Sequence, residues 1–310
     1  MNASHALAGF GFRASIDRVV IEVRLDQPTQ FRHVQDRMKA AGQGVQYVHQ
    51  VNPYTVRTTI QNPTGPDALM RAAQALVSTP GSIRDTDISI IEVEVTLDAR
   101  PTTPATADQI IDATMHLAHH HANPPGDFRI VRGAGHARGN TAPAAQEDFR
   151  RALRDGDNTI NAGWYADAVK CEMGDPFRLR LYAKTYDSTP DDHYQALPQQ
   201  QHTARIEAIL SGELCPFRTV NEWRRFRFES LSLYFRQVCT TPGSELATLA
   251  MNWRASLGQP ADTGKRKGHR RNSRRGTARD TALNRRIYKA LTRLTARQFA
   301  EIRTPKSSEK

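Results

Sequence analysis

A strand-then-helix pattern appears twice in the first 121 residues, and this repetition constrains the fold more than any other feature. "ASIDRVVIEVRL" (14–25) carries apolar residues largely at period two and is followed by the amphipathic stretch "TQFRHVQDRMKAA". "ISIIEVEVTLDA" (88–99) resembles that strand and is followed by "TADQIIDATMHLAHHH". Period two marks a strand with a covered face and period 3.6 a helix. Two such units predict two pseudo-repeated halves. Between them, "VQYVHQVNPYTVRTTIQNP" reads as a hairpin turning at Asn52 and Pro53. "TGPDALMRAAQALVSTPG" reads as a helix capped by Thr64 or Asp67, with Leu69, Ala72, Ala73 and Leu76 on one side. The expected class is α+β: a mixed, largely antiparallel sheet in two pseudo-repeated halves with flanking helices, plus a basic C-terminal linker and helix.

Charge divides the chain further. Of the formal net charge of +11, residues 258–310 carry 16 Lys and Arg against 4 Asp and Glu, a net of +12, so the remainder is close to neutral. "KRKGHRRNSRR" (265–275) holds seven of those cations: Lys265, Arg266, Lys267, Arg270, Arg271, Arg274 and Arg275. A run of this kind cannot bury itself, and nucleic acid is its expected partner through counterion release; an anionic surface or a purely solvating role are the alternatives. The expected organisation is an α+β domain over 1–257, a basic linker over 258–279 and an amphipathic basic helix over 280–310. That helix sets Leu283, Ile287, Leu291 and Leu294 on one face and Arg286, Arg293 and Arg297 largely on another. Three cysteines without CxxC spacing argue against a disulfide framework or zinc ribbon. No apolar run is long enough to span a bilayer, and a cytoplasmic protein without a membrane partner is expected.

Candidate chemistry concentrates on strands. Asp17 and Glu22 interrupt one apolar strand pattern, and Glu92 and Glu94 share a face of another with Asp87 at the opposite parity; carboxylates are depleted in strands, and each has a solvent-face reading beside a functional one. Glu207 sits in "ARIEAIL" (204–210) among Ile206, Ala208 and Ile209, which suggests burial. Carboxylates on adjacent strands would hold Mg²⁺ or Mn²⁺ through hard oxygen ligands. "RLRLYAK" (178–184) interleaves Arg178, Arg180, Tyr182 and Lys184 on a strand pattern, and Arg205 precedes Glu207 by two. Arginines there suit phosphates. Tyr165, Tyr182 and Tyr186 could attack a phosphodiester, although packing or base stacking is the commoner role for any one of them. The histidines at 116 and 119–121 lack the glutamate of an HExxH site, and "GAGHARG" (133–139) lacks the strand and closing glycine of a dinucleotide loop.

In order, "DISIIEVEVTLD", "TINAG" (159–163), "RLRLYAK" and "ARIEAIL" resemble the replication initiators of filamentous phages and rolling-circle plasmids, over roughly residues 14–236. The resemblance implies related α/β halves and nicking of one strand at an origin through a covalent tyrosine link. It implies Glu207 as a metal ligand, with Glu94 or Asp98 as a second, and Mg²⁺ or Mn²⁺ as the ion. Tyr165, Tyr182 and Lys184 would be catalytic. Arg178, Arg180 and Arg205 would face DNA. The implied partners are origin DNA, single-stranded or hairpin, and a host helicase. Where that family has a tyrosine between the Thr and the Gly of its strand, this chain has Asn161, and Tyr165 stands two residues beyond the glycine. A DNA-binding protein that has lost nicking is therefore the alternative.

Overall fold

The computed structural model describes residues 7–41, 45–77, 81–121, 129–132, 164–167, 176–188, 194–240, 277–279 and 281–303. The "TINAG" stretch with Asn161, the "GAGHARG" stretch and the basic run 265–275 lie outside the described residues. The elements are β1 (Phe10–Arg24), α1 (Phe31–Ala41), β2 (Val45–Asn52), β3 (Thr55–Gln61), α2 (Pro66–Leu76), β4 (Ile88–Pro101) and α3 (Ala107–His120). Then follow β5 (Arg129–Arg132), β6 (Trp164–Asp167), β7 (Phe177–Lys184), β8 (Tyr186–Ser188), β9 (Tyr194–Ala196), β10 (Thr203–Ser211), α4 (Val220–Arg225), β11 (Val238–Thr240), β12 (Thr277–Arg279) and α5 (Thr281–Arg303). The fold is α+β. Its main sheet has the strand order β2-β3-β1-β4-β10-β7-β6-β5. No helix among the described residues is long and apolar enough to cross a membrane.

The chain divides into two compact units. One comprises Ala14–Thr96, Ile209–Glu229 and Thr292–Lys310; the other comprises Met1–Arg13, Leu97–Ala208 and Ser230–Leu291. In the first, β3 runs antiparallel to both β1 and β2, with Val19 opposite Ile60 and Val23 opposite Val56. Val19, Ile21, Val23 and Val56 are fully buried, as period two requires of a covered face. The β2–β3 turn falls at the expected residues, and the Asn52 side-chain oxygen accepts from the Tyr54 amide at 2.9 Å. Helix α2 buries Leu69, Ala72, Ala73 and Leu76 as expected, but its start corrects the sequence reading. The N-cap is Gly65, with no side-chain cap bond, and Pro66 occupies the first turn. Proline lacks an amide donor, so the start leaves one fewer N–H for Thr64 or Asp67 to satisfy.

Helix α4 begins with the expected capping geometry: Thr219 Oγ1 accepts from the Glu222 amide at 3.1 Å, and the Glu222 carboxylate accepts from the Arg218 amide at 2.6 Å. The helix stops at Arg225, and residues Phe228–Phe235 form 3₁₀ turns. Aromatic packing accounts for the break. Phe217 stacks on Trp223 with centroids 5.0 Å apart, and Phe226 meets Phe228 edge-on at 5.2 Å. A continuous α-helix would turn the rings at 226 and 228 about 200° apart, away from one shared cluster.

In the other unit the strand order runs β4-β10-β7-β6-β5, with β6 antiparallel to β5 and β7. Helix α3 buries Ile110, Ile111 and Leu117, and just beyond its end one ring nitrogen of His121 lies 3.0 Å from the Tyr234 carbonyl. Residues Thr281–Leu291 of α5 bury Leu283, Ile287, Ala290 and Leu291. There Asn284 accepts from the Gln237 amide at 2.9 Å and donates to its carbonyl at 2.7 Å. Arg286 donates to the carbonyls of Leu7 and Phe10 and lies over the Phe12 ring, 4.9 Å from its centroid.

Phe217 is 1% exposed at the centre of the aromatic cluster. Phe217→Ala is expected to destabilise the protein by about 3–5 kcal/mol, through lost transfer energy and the cavity left behind. Urea unfolding checks this; a loss near zero would mean that the cluster does not hold the segment after α4.

Candidate functional site

Strand periodicity brings the charged residues of β4, β7 and β10 together. On β10, Thr203, Arg205 and Glu207 share one face, and on β7 Arg178, Arg180, Tyr182 and Lys184 share one face. Because β10 lies between β4 and β7, both neighbours can reach it. Asp98 of β4 takes a bidentate pair from Arg205: Nε to Oδ1 at 2.7 Å and Nη2 to Oδ2 at 3.1 Å. Glu207, fully buried, accepts from the Arg180 guanidinium on one oxygen and from the Tyr182 hydroxyl on the other. Arg205 Nη1 is 3.7 Å from Glu207 Oε1, so one guanidinium serves both carboxylates. Arg180 also lies over the Tyr182 ring, with its Cζ 5.5 Å from the centroid.

These pairs follow from burial. Asp98 is 2% exposed and Arg205 7%, and an isolated charge at such depth costs several kcal/mol unless it is paired and hydrogen-bonded. The same arrangement decides the state of Tyr182. Burial, and then the negative charge of Glu207, raise its phenol well above the ordinary tyrosine value, against the opposing pull of Arg205 and Arg180. Tyr182 is thus held protonated, as a donor to Glu207.

The other sequence candidates are distributed as follows. Glu94 is buried, and Arg18 pairs with it at 3.1 Å and with Glu92 at 2.6 Å. Lys184 pairs with Asp187 at 3.3 Å, and Arg178 is half-buried on β7. Tyr165 lies on β6, where its backbone is in register with Arg180 of β7. Lys265, Arg266, Lys267, Arg270, Arg271, Arg274 and Arg275 lie outside the described residues.

Asp17, Glu94 and Glu207 each offer one carboxylate oxygen, all within 4.8 Å of one another, and this group could hold a metal ion. The donor set fits a hard cation. Asp98 is not one of this group; both its oxygens pair with Arg205, as both Glu207 oxygens pair with Arg180 and Tyr182. Asp17 was not picked out as a ligand from the sequence, and neither was Arg18 as the counter-charge of Glu92 and Glu94. The available signal was an Asp-Arg pair inside an otherwise apolar strand.

No family model and no curated protein matches this chain. Among solved structures, the crystal structure of aspartate kinase from Synechocystis is similar at 10% identity with a TM-score of 0.17, over 97% of this chain and 57% of that one. The chain thus spans little more than half of that enzyme's length, and a likeness at this level carries no argument about fold or activity.

Two outcomes are expected from the network. Asp98→Asn should destabilise the protein by about 3–5 kcal/mol, because Arg205 would remain buried without its counter-charge. Asp98→Leu combined with Arg205→Met should cost less than the sum of the single changes, with a coupling of about 0.5–3 kcal/mol read by urea unfolding; additive losses would mean that the pair is not coupled. The pH dependence has a definite sign. A phenol raised on folding stabilises the native state fully below its unfolded value near 10, and that stability is lost as pH rises toward the folded value. Tyr182→Phe should therefore lessen the loss of stability above about pH 10.

Proposed function

We propose that this chain is a DNA-binding rolling-circle replication initiator of a phage or plasmid-like element, which nicks one strand by tyrosine attack assisted by Mg²⁺ or Mn²⁺. One observation carries this reading. The residues of the "R-x-R-x-Y-x-K" and "R-x-E" motifs, separated by about twenty residues in sequence, meet side chain to side chain around Glu207 on adjacent strands. Asp17 and Glu94, near the same carboxylate, complete an oxygen donor set.

Within this reading the roles divide by protonation. Tyr182, held protonated, orients Glu207 and is a poor attacking group. Tyr165, on the strand next to β7, is the nucleophile. Its oxygen bonds to phosphorus as the bond from phosphorus to the neighbouring sugar oxygen breaks, leaving a phosphotyrosyl ester whose energy resembles that of the bond lost. Arg178 and Lys184, at the less buried ends of their strand face, are the phosphate-holding groups of β7, while Arg180 and Arg205 position the carboxylates. A divalent ion bound by Asp17, Glu94 and Glu207 would polarise the phosphodiester.

The pairing of both Glu207 oxygens and both Asp98 oxygens with protein donors favours a second reading. A network so fully satisfied can be purely structural, and the chain would then bind DNA without cutting it, consistent with Asn161 in the place of the family's tyrosine.

Incubating the full chain with supercoiled plasmid bearing its own element's DNA, with Mn²⁺ or EDTA, separates the two. The expected result is Mn²⁺-dependent nicked product linked to protein, abolished by Tyr165→Phe and retained by Tyr182→Phe. Binding without nicking would favour the second reading, and loss only in Tyr182→Phe would reverse the assignment of the nucleophile.

A further inference from the structure

Helix α5 uses its basic residues in two different ways. Arg286, half-buried, donates to the carbonyls of Leu7 and Phe10, and Arg297, although exposed, donates to the Ala14 carbonyl. Arg285, Lys289 and Arg293 stay exposed and make no hydrogen bond or ion pair with any other described residue. They follow one another at i, i+4 and i+8, about 6 Å of rise per step, and therefore form one stripe on a helix whose opposite face is buried. Tyr288 stands beside that stripe with 49% of its surface exposed. Ala282, Thr292 and Ala296 are the other exposed positions over the same turns, so no acidic side chain of the helix interrupts it between 282 and 296.

Like charges at i,i+4 repel and weaken a helix. Two consecutive repelling pairs break the local rules for a stable surface, and such breaks are expected where a ligand supplies the missing counter-charge. The complementary ligand is a polyanion with regular charge spacing and flat apolar faces. A nucleic-acid strand offers one phosphate per roughly 3.4 Å of axis, so three cations spread over about 12 Å span three to four phosphates. An exposed tyrosine gives an unpaired base a surface on which to stack.

We propose that the outer face of α5 is a contact for single-stranded nucleic acid, with Arg285, Lys289 and Arg293 on phosphates and Tyr288 against a base. This contact rests on the DNA-binding reading above but is separate from the Glu207 network and from the basic run 265–275. It needs neither metal nor nicking.

The test is fluorescence anisotropy of the full chain with a labelled 30-nucleotide single strand of mixed sequence, in EDTA, from 50 to 200 mM salt. The variants are R285Q/K289Q/R293Q and a charge-matched control, R32Q/R71Q/R225Q, which removes three exposed arginines elsewhere. Losing three phosphate contacts should reduce the slope of log affinity against log salt by about 2, so that over this range the wild type loses roughly 20-fold more affinity than the helix variant. The control should leave the slope unchanged. Tyr288→Ala should weaken binding at every salt concentration by about 5-fold or more without changing the slope. Equal slopes for wild type and helix variant, or the same reduction in the control, would overturn the contact while leaving the DNA reading standing. Absence of salt-dependent binding by the wild type would remove both. Loss of binding to phosphatidylserine vesicles in the helix variant, with unchanged binding to the oligonucleotide, would assign the face to membranes and overturn the proposal.

Discussion

Charge buried in a sheet needs counter-charge, and this constraint shapes the central strands of the protein. Asp98, Glu207 and Arg205 lie almost wholly out of water, and each is tolerable only because another is present. β10 supplies both signs two residues apart on one face, and β4 and β7 complete the pairing from either side. An apolar set of residues would fill the same space at lower risk. A network of this kind fixes strand register instead, because a slip of one residue would turn Arg205 and Glu207 to the opposite face together.

The network also determines what each group can do. Burial, and then the negative charge of Glu207, hold Tyr182 as a phenol, so a tyrosine that looks reactive in sequence is a hydrogen-bond donor to that carboxylate. The pairing of Arg205 with Asp98 fixes that guanidinium instead of leaving it free to meet a phosphate. Arg285, Lys289 and Arg293 of α5 are exposed instead.

Much of the fold was legible in the sequence, because period two and period 3.6 report directly on which faces are covered. β1, β4, the β2–β3 hairpin, α1, α2, β7 and β10 stand close to where periodicity puts them. The misreadings arose where tertiary contacts overrode local signals. Gly65 and Pro66 start α2 without a side-chain cap, where Thr64 or Asp67 was expected to supply one. In α5 the helical wheel set Arg286 and Arg297 on a polar face, but long side chains can reach back to carbonyls that lie far off in sequence. In the candidate site, Glu94 and Glu207 were legible as strand carboxylates. Their arginine partners were not paired with them, since strand order decides which residues become neighbours and no local pattern encodes it.

The carboxylates gathered near Glu207 could hold a divalent cation despite their arginine partners. Titrating the full chain with Mn²⁺ and following the electron paramagnetic resonance signal of the free ion tests it most directly. The account predicts one bound Mn²⁺ per chain in the wild type, lost in Glu207→Gln and retained when the exposed Glu213 is changed to Gln. An ion signal undiminished by the wild type, or equally diminished by the Glu207→Gln protein, would contradict it and leave a network whose only work is to hold the sheet in register.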